Sequence, residues 1–230
     1  MQTVFKPWLP TCAETCMKFH VVTQSPLNQV ASWLLTHTDG NLKIGLSQRI
    51  LYHRGRAYDS IEHGWYSYLN GHTLFFIPNN LDQDFQHLAD TLDAFVITGG
   101  DDIALRRTVE TKLASVMMQR GKPVVGICHG AFLLTNLLGG TVTDVDAHME
   151  QLHPVMYFGD VKIVNSFHNI AIDKLHNTGT VLCTDEQGHI ESWIDGKLAG
   201  VVWHPERMDQ PWLPDEIETL LFKENKSRKY

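Results

Sequence analysis

The sequence predicts an α/β fold: a mainly parallel sheet flanked by helices on both faces, with a smaller antiparallel extension. Three observations carry this. From residue 42 onward short apolar runs alternate with helix-period patterns, several of these segments end at glycine, and beyond residue 140 strand-like runs follow one another across short turns. Strands separated by helix-length connections imply βαβ crossovers, whereas strands joined by short turns pair antiparallel.

"LKIGLS" (42–47) reads as a buried strand and "DSIEHGWYSYLNG" (59–71) as an amphipathic helix closed by a glycine. "TLFFIPN" (73–79) is a second strand, "QDFQHLADTL" (83–92) a helix, and "AFVITGG" (94–100) a third strand ending in paired glycines. "RRTVETKLASVMMQRG" (106–121) carries apolar residues at 109, 113, 116 and 117, one face of a helix. "PVVGIC" is a fourth strand, leading into the helix "GAFLLTNLLGG". "VKIVNSF", "GTVLCTD", "HIESWID" and "LAGVVWHPE" form the extension, and "PDEIETLLFKEN" a last helix with Pro214 at its start. Residues 1–41 suggest an N-terminal extension, a βα unit packed on the core domain of residues 42–230. Ser25 is its helix cap and Pro26 its first helical residue.

With 43% hydrophobic and 20% charged residues over 230 positions, the chain can bury a sizeable core. A formal charge of −7, with basic residues clustered only in "KENKSRKY", speaks against nucleic acid as a partner. No apolar run approaches the ~20 residues a membrane helix needs. The start lacks the layout of a signal peptide, and four irregularly spaced cysteines do not make a disulfide framework, so a reducing cytoplasm is expected. Cys12 and Cys16 lack a second ligand pair nearby. His148 and His153 lie five apart and His168 and His176 eight apart, so spacing predicts no metal site, and no cofactor is expected.

Chemistry concentrates at "GICHG" (126–130), a G-x-C-x-G at a strand-to-helix junction. Such a turn puts Cys128 at a helix N-terminus, where unpaired N–H groups favour a thiolate and lower its pKa below the ordinary ~8.5. The N–H of His129 points where an oxyanion would form, and the "TGG" turn of the neighbouring strand offers a second donor. "VVWHPER" delivers His204 and, two residues on, Glu206. In extended chain these share a side, so the carboxylate can orient an imidazole that faces the thiol.

"GICHG" and "WHPE" together resemble the class I glutamine amidotransferase superfamily, whose sheet is flavodoxin-like. "TGGDD" (98–102) is similar to its oxyanion turn, and "VNSFHN" (164–169) to the N-S-x-H segment of its γ-glutamyl hydrolase branch. The resemblance implies Cys128 as nucleophile, His204 as proton shuttle and Glu206 as its orienter, with Gly100 and His129 donating to the oxyanion. By the same resemblance Asn165, Ser166, Phe167 and His168 hold the glutamyl group. Asp101 and Asp102, beside the glycine turn, are candidates for substrate contact. "KIGLSQR" and "YDSIEHGW" are similar to the opening segments of γ-glutamyl-CDP-amidate hydrolases, which act in making surface-polysaccharide phosphoramidates. A γ-glutamyl-γ-aminobutyrate hydrolase is the alternative within the branch.

The sequence departs from the branch in three places: C-H-G-A-F replaces C-R-G-x-Q, bringing His129 and Phe132, and Arg107 in "RRTVE" stands where an acid is usual. The expected partner is a small γ-glutamyl substrate, with a homodimer or a synthase partner as further options. Three rival readings stay open. In PfpI-like proteins, which "ICHGAFLL" also resembles, His129 would be the base and Asp59 or Glu62 its acid. The chain could instead be the ammonia-supplying glutaminase subunit of a synthase, or a binding protein without catalysis.

Overall fold

The computed structural model describes residues 41–145 and 149–223. The βα unit expected over residues 1–41 therefore lies outside the described residues, apart from its last position. Among the described residues, β1 (Lys43–Ser47), β4 (Thr73–Ile77), β5 (Ala94–Ile97), β6 (Val124–Ile127) and β13 (Leu198–Val201) form a parallel core ordered β4-β1-β5-β6-β13. Renumbered along the chain this is 2-1-3-4-5, the flavodoxin-like order.

The helices follow from the crossovers. α2 (Phe85–Thr91) links β4 to β5, α3 (Ala104–Gln119) links β5 to β6, and α4 (His129–Leu137) follows β6. Right-handed connections running in one direction across the sheet place these three on one face; α2 packs on α3, and α3 on α4. The β1-to-β4 connection runs the other way, so α1 (Gly64–Tyr68) falls on the opposite face. There His72, just past α1, stacks on Phe222 of the C-terminal π-helical turn, which follows α5 (Asp215–Glu218). Both faces of the core strands are thus dry: Ile44, Leu46, Phe95, Ile97, Val124 and Val201 are fully or nearly fully buried.

Antiparallel strands continue the sheet beyond β13: β12 (Ile190–Asp195), β11 (Thr180–Thr184), β8 (Met149–Tyr157) and β9 (Asp160–Phe167). β10 (Ile170–Lys174) and β7 (Thr141–Asp144) branch from β12.

Residues 59–71 do not form the single helix expected from their pattern. A hairpin of β2 (Arg49–His53) and β3 (Arg56–Ser60) takes the first part, pairing Asp59 with Ile50, and α1 keeps only five residues. Two successive left-handed residues, Arg54 and Gly55, make the tight turn. An arginine at the first of these positions hides the turn from sequence reading, because Asn-Gly is the usual signal.

Candidate active site

The residues of the predicted elbow, glycine turn and H-P-E segment collect at the C-terminal ends of β5, β6 and β13, where open α/β sheets hold ligands. β6 ends at Cys128, which adopts φ 50° and ψ −107° before α4 begins. A non-glycine residue held there costs about 1–3 kcal/mol. Tight packing enforces it: a Cβ on Gly126 would lie 2.3 Å from the Gly130 backbone, and one on Gly130 would lie 2.3 Å from the Ile97 carbonyl oxygen. Those two glycines let α4 start directly against β5 and β6, and the turn between them must carry the sulfur.

His204 follows β13, 2% exposed, and is hydrogen-bonded to Cys128. Its Nδ1 lies 2.6 Å from Glu206 Oε1. Burial alone would lower the imidazole pKa. The hydrogen bonds and charges of Cys128 and Glu206 outweigh it and raise the ring to about 9. Thiol, imidazole and carboxylate thus stand in line. The ring sits so close to the glycine turn that a Cβ on Gly99 would lie 2.4 Å from His204 Cε1.

This line opens onto a cleft of about 610 Å³, a size suited to a small-molecule ligand. Gly100, Asp101, Asp102, Phe167, His168 and the elbow residues Cys128 and His129 line it. Asn165 is used differently: its side-chain amide donates to the His204 carbonyl and its oxygen accepts from the His204 N–H, both at 2.8 Å. It clamps the peptide that carries the base. Ser166 is fully buried and outside the cleft lining. His168 shows an edge to the cleft, while its Nδ1 lies 2.8 Å from the Ile170 carbonyl oxygen.

The His129 side chain is committed elsewhere. Its Nε2 lies 2.8 Å from Glu110 Oε2, and Glu110 is held in turn by Arg106 at 2.8 Å. Arg106 is wholly buried and donates to the carbonyls of Thr98, Gly99 and Asp101, bracing the glycine turn from below. The acids proposed for a His129 base are engaged too: Asp59 accepts from Asn79, and Glu62 from Arg49 and Arg207. The imidazole beside the thiol is that of the distant His204, not of the adjacent His129.

A family model settles the kinship. Residues 57–223, more than half of the sequence, match the family described as glutamine amidotransferase class-I. The chain belongs to the class-I glutamine amidotransferase family. This amidotransferase-family chain is 26% identical over 183 residues to the γ-glutamyl-CDP-amidate hydrolase of Campylobacter jejuni, covering 71% of this chain and 90% of that one. Its fold matches a glutamine amidotransferase from Thermotoga maritima with a TM-score of 0.57 at 17% identity, over 73% of this chain and 77% of that one. A glutamine amidotransferase from Methylobacillus flagellatus matches with a TM-score of 0.53 at 13% identity, over 73% and 71%. No helix among the described residues is long and apolar enough to cross a membrane.

Sequence reasoning missed the cationic rim. Arg49 donates to the Gly99 carbonyl and to Glu62, each within 2.9 Å, and Arg207 grips the same carboxylate twice at 2.8 Å while stacking 4.5 Å over the Phe167 ring. Burial works against the Glu62 charge, but the two guanidiniums outweigh it and hold its pKa below the usual carboxylate range. Two cations thus share one anion at the cleft, and Arg107, 3.3 Å from Asp102, lines it as well. Arg49 closes "KIGLSQR" and Arg207 closes "VVWHPER", so membership of these segments was the available signal.

Proposed function

We propose that this chain hydrolyses γ-glutamyl amides by cysteine catalysis. One observation carries the reading: His204 stands between Cys128 and Glu206 at the floor of the cleft. The Cys128 sulfur attacks the γ-carbonyl carbon, and the oxyanion is met by the N–H groups of Gly100 and His129. As the C–N bond breaks, the His204 imidazolium gives its proton to the leaving nitrogen. Water, deprotonated by the now neutral ring, opens the glutamyl thioester, releasing glutamate and restoring the thiol.

The leaving group in this proposal carries phosphate, as in γ-glutamyl-CDP-amidate. Arg49, Arg107 and Arg207 lining the cleft support that choice, since guanidinium forks suit phosphate oxygens. So does the name of the Campylobacter relative. The reaction would then serve synthesis of surface-polysaccharide phosphoramidates, in the cytoplasm where CDP conjugates are made.

Glutamate release from glutamine, γ-glutamyl-γ-aminobutyrate and γ-glutamyl-CDP-amidate tests the reading. The CDP conjugate should have the highest kcat/KM, and no release from any of the three would end it. A second reading, a glutaminase serving a synthase, is favoured by the exposed apolar side chains of Leu152, Phe158, Val161 and Ile163 on the β8–β9 hairpin. Under that reading glutaminase activity rises sharply when a synthase partner is added.

A further inference from the structure

A second constellation lies in the antiparallel extension. His153 on β8, His168 just past β9 and Glu191 on β12 point their ring nitrogens and carboxylate at one spot, with all the candidate ligand atoms within 4.8 Å of one another. We propose that these three side chains bind a divalent first-row transition metal, zinc foremost. The inference is independent of the proposed reaction.

The carboxylate makes the first argument. Glu191 is 1% exposed, and neither of its oxygens has a hydrogen-bond partner. A buried carboxylate left so is costly unless a cation meets it. The two nearest nitrogens, His153 Nε2 and His168 Nε2, each stand 3.7 Å from a different oxygen of that group. This is beyond hydrogen-bond reach. Ligands bound tetrahedrally to zinc at about 2.0–2.1 Å stand roughly 3.3 Å apart, so the two 3.7 Å spacings need a contraction of a few tenths of an ångström, and the set as a whole, within 4.8 Å, closes by small side-chain rotations.

The His168 tautomer makes the second. With Nδ1 at 2.8 Å from the Ile170 carbonyl oxygen, that nitrogen must carry the hydrogen, because a carbonyl only accepts. In the neutral ring Nε2 then presents a lone pair toward Glu191, so a proton or a metal ion must stand between them, and 3.7 Å is too long for a proton shared in a hydrogen bond. A ligating histidine commonly has its other nitrogen hydrogen-bonded in this way. Two imidazoles and a carboxylate suit zinc and leave a fourth position open. The three ligands also come from three strand segments of one sheet, a rigid frame. Spacing along the chain could not reveal them, which is why the sequence predicted no metal.

The site stands behind the cleft wall, because His168 belongs to both, and Asn165, three residues back, clamps His204. Bound metal would stiffen that wall.

The test uses the full chain with Cys128→Ser, which removes the reactive thiolate as a competing ligand. After dialysis against chelator, zinc is titrated calorimetrically and cobalt is added as a spectroscopic probe. The expected result is one equivalent of zinc, cobalt d–d bands of a nitrogen and oxygen site, and a thermal midpoint that rises with metal. Adding Glu191→Gln should weaken zinc at least tenfold and abolish the thermal response. His153→Gln should do the same and serves if the first variant does not fold. No stoichiometric uptake, unchanged affinity in the variants, or a thiolate-to-cobalt charge-transfer band would each overturn the proposal. The first of these outcomes would assign the cluster to a proton shared between carboxylate and imidazole.

Discussion

Two buried histidines adjoin the elbow, and only one serves the sulfur. His129, next to Cys128 in sequence, and His204, far along the chain, each sit within hydrogen-bond distance of a glutamate, at 2.8 Å and 2.6 Å. Their surroundings separate them. The Glu110 partner of His129 is tied to a buried guanidinium beneath the glycine turn, so that ring is part of a strut. Glu206 has no such full partner: Arg207 Nε stands 3.9 Å away, and its charge is spent on the imidazole. Helix geometry adds a reason. Cys128 caps α4 and His129 is its first residue, so their side chains leave the axis about 100° apart. A neighbour in sequence is directed away from the sulfur, whereas the adjacent parallel strand, β13, delivers a ring to it.

The largest effects should come from breaking the proposed relay itself. Cys128→Ala and His204→Asn should each lower kcat by about 10⁴ or more, by analogy with triads that act as a unit. Glu206→Gln should cost about 10²–10⁴ through loss of the oriented tautomer. His129→Asn is the contrast: kcat should fall within about tenfold, while stability drops by about 1–3 kcal/mol because Glu110 loses a buried partner. Steady-state rates and urea melts on the same preparations separate the two. A His129 variant as dead as the His204 variant would reverse the assignment.

The raised pKa of His204 sets a pH limit. Its imidazolium is favoured in the folded state, so that contribution to stability is complete below the unfolded value near 6.5 and is lost as pH climbs through about 9. In the proposed reaction the same ring protonates the leaving nitrogen, so kcat should fall on an alkaline limb near pH 9. Cys128→Ser removes a hydrogen bond and charge that raise the ring. The His204 titration, followed by NMR of the ring protons, should therefore shift downward in that variant. An unmoved titration would show that the sulfur is not its partner.

Four of the five parallel strands were legible because each is a short apolar run closed by a turn signal, and the helices carry one apolar stripe. β13, read from sequence into the extension because it follows antiparallel strands across a short turn, instead pairs parallel with β6. β1, β4, β5, β6 and α3 all lie where the pattern put them, to within a few residues at the helix ends. The grouping of Cys128, His204 and Glu206 was legible because the three residues sit in two short local motifs. The antiparallel half resisted. β7, β8 and β10 were not recognised, since half-exposed strands such as Met149–Tyr157 mix Gln, His and Pro with apolar residues. Nor can any local pattern show that Glu191, inside an apolar strand, meets histidines from two other segments. Asn165 was visible as part of a motif, but its grip on the His204 peptide depends on where β9 lies beside the loop after β13.

Two adjacent arginines give the finest version of the contrast, and the smallest effect. Arg106 is wholly buried and holds Glu110; Arg107, one residue on, is half exposed and pairs with Asp102 at 3.3 Å. An exposed pair of that kind is worth about 0–1 kcal/mol, so Arg107→Ala should leave the melting curve nearly unchanged. If Arg107 meets a phosphate of the leaving group, the same variant should raise KM for γ-glutamyl-CDP-amidate by about three- to tenfold. Values for glutamine or γ-glutamyl-γ-aminobutyrate, which carry no phosphate, should stay put. Arg106→Ala should instead lower stability and kcat for every substrate alike, because it releases both Glu110 and the carbonyls of the glycine turn. A KM change in the Arg107 variant shared equally by all three substrates would mean that this guanidinium shapes the cleft without reading phosphate.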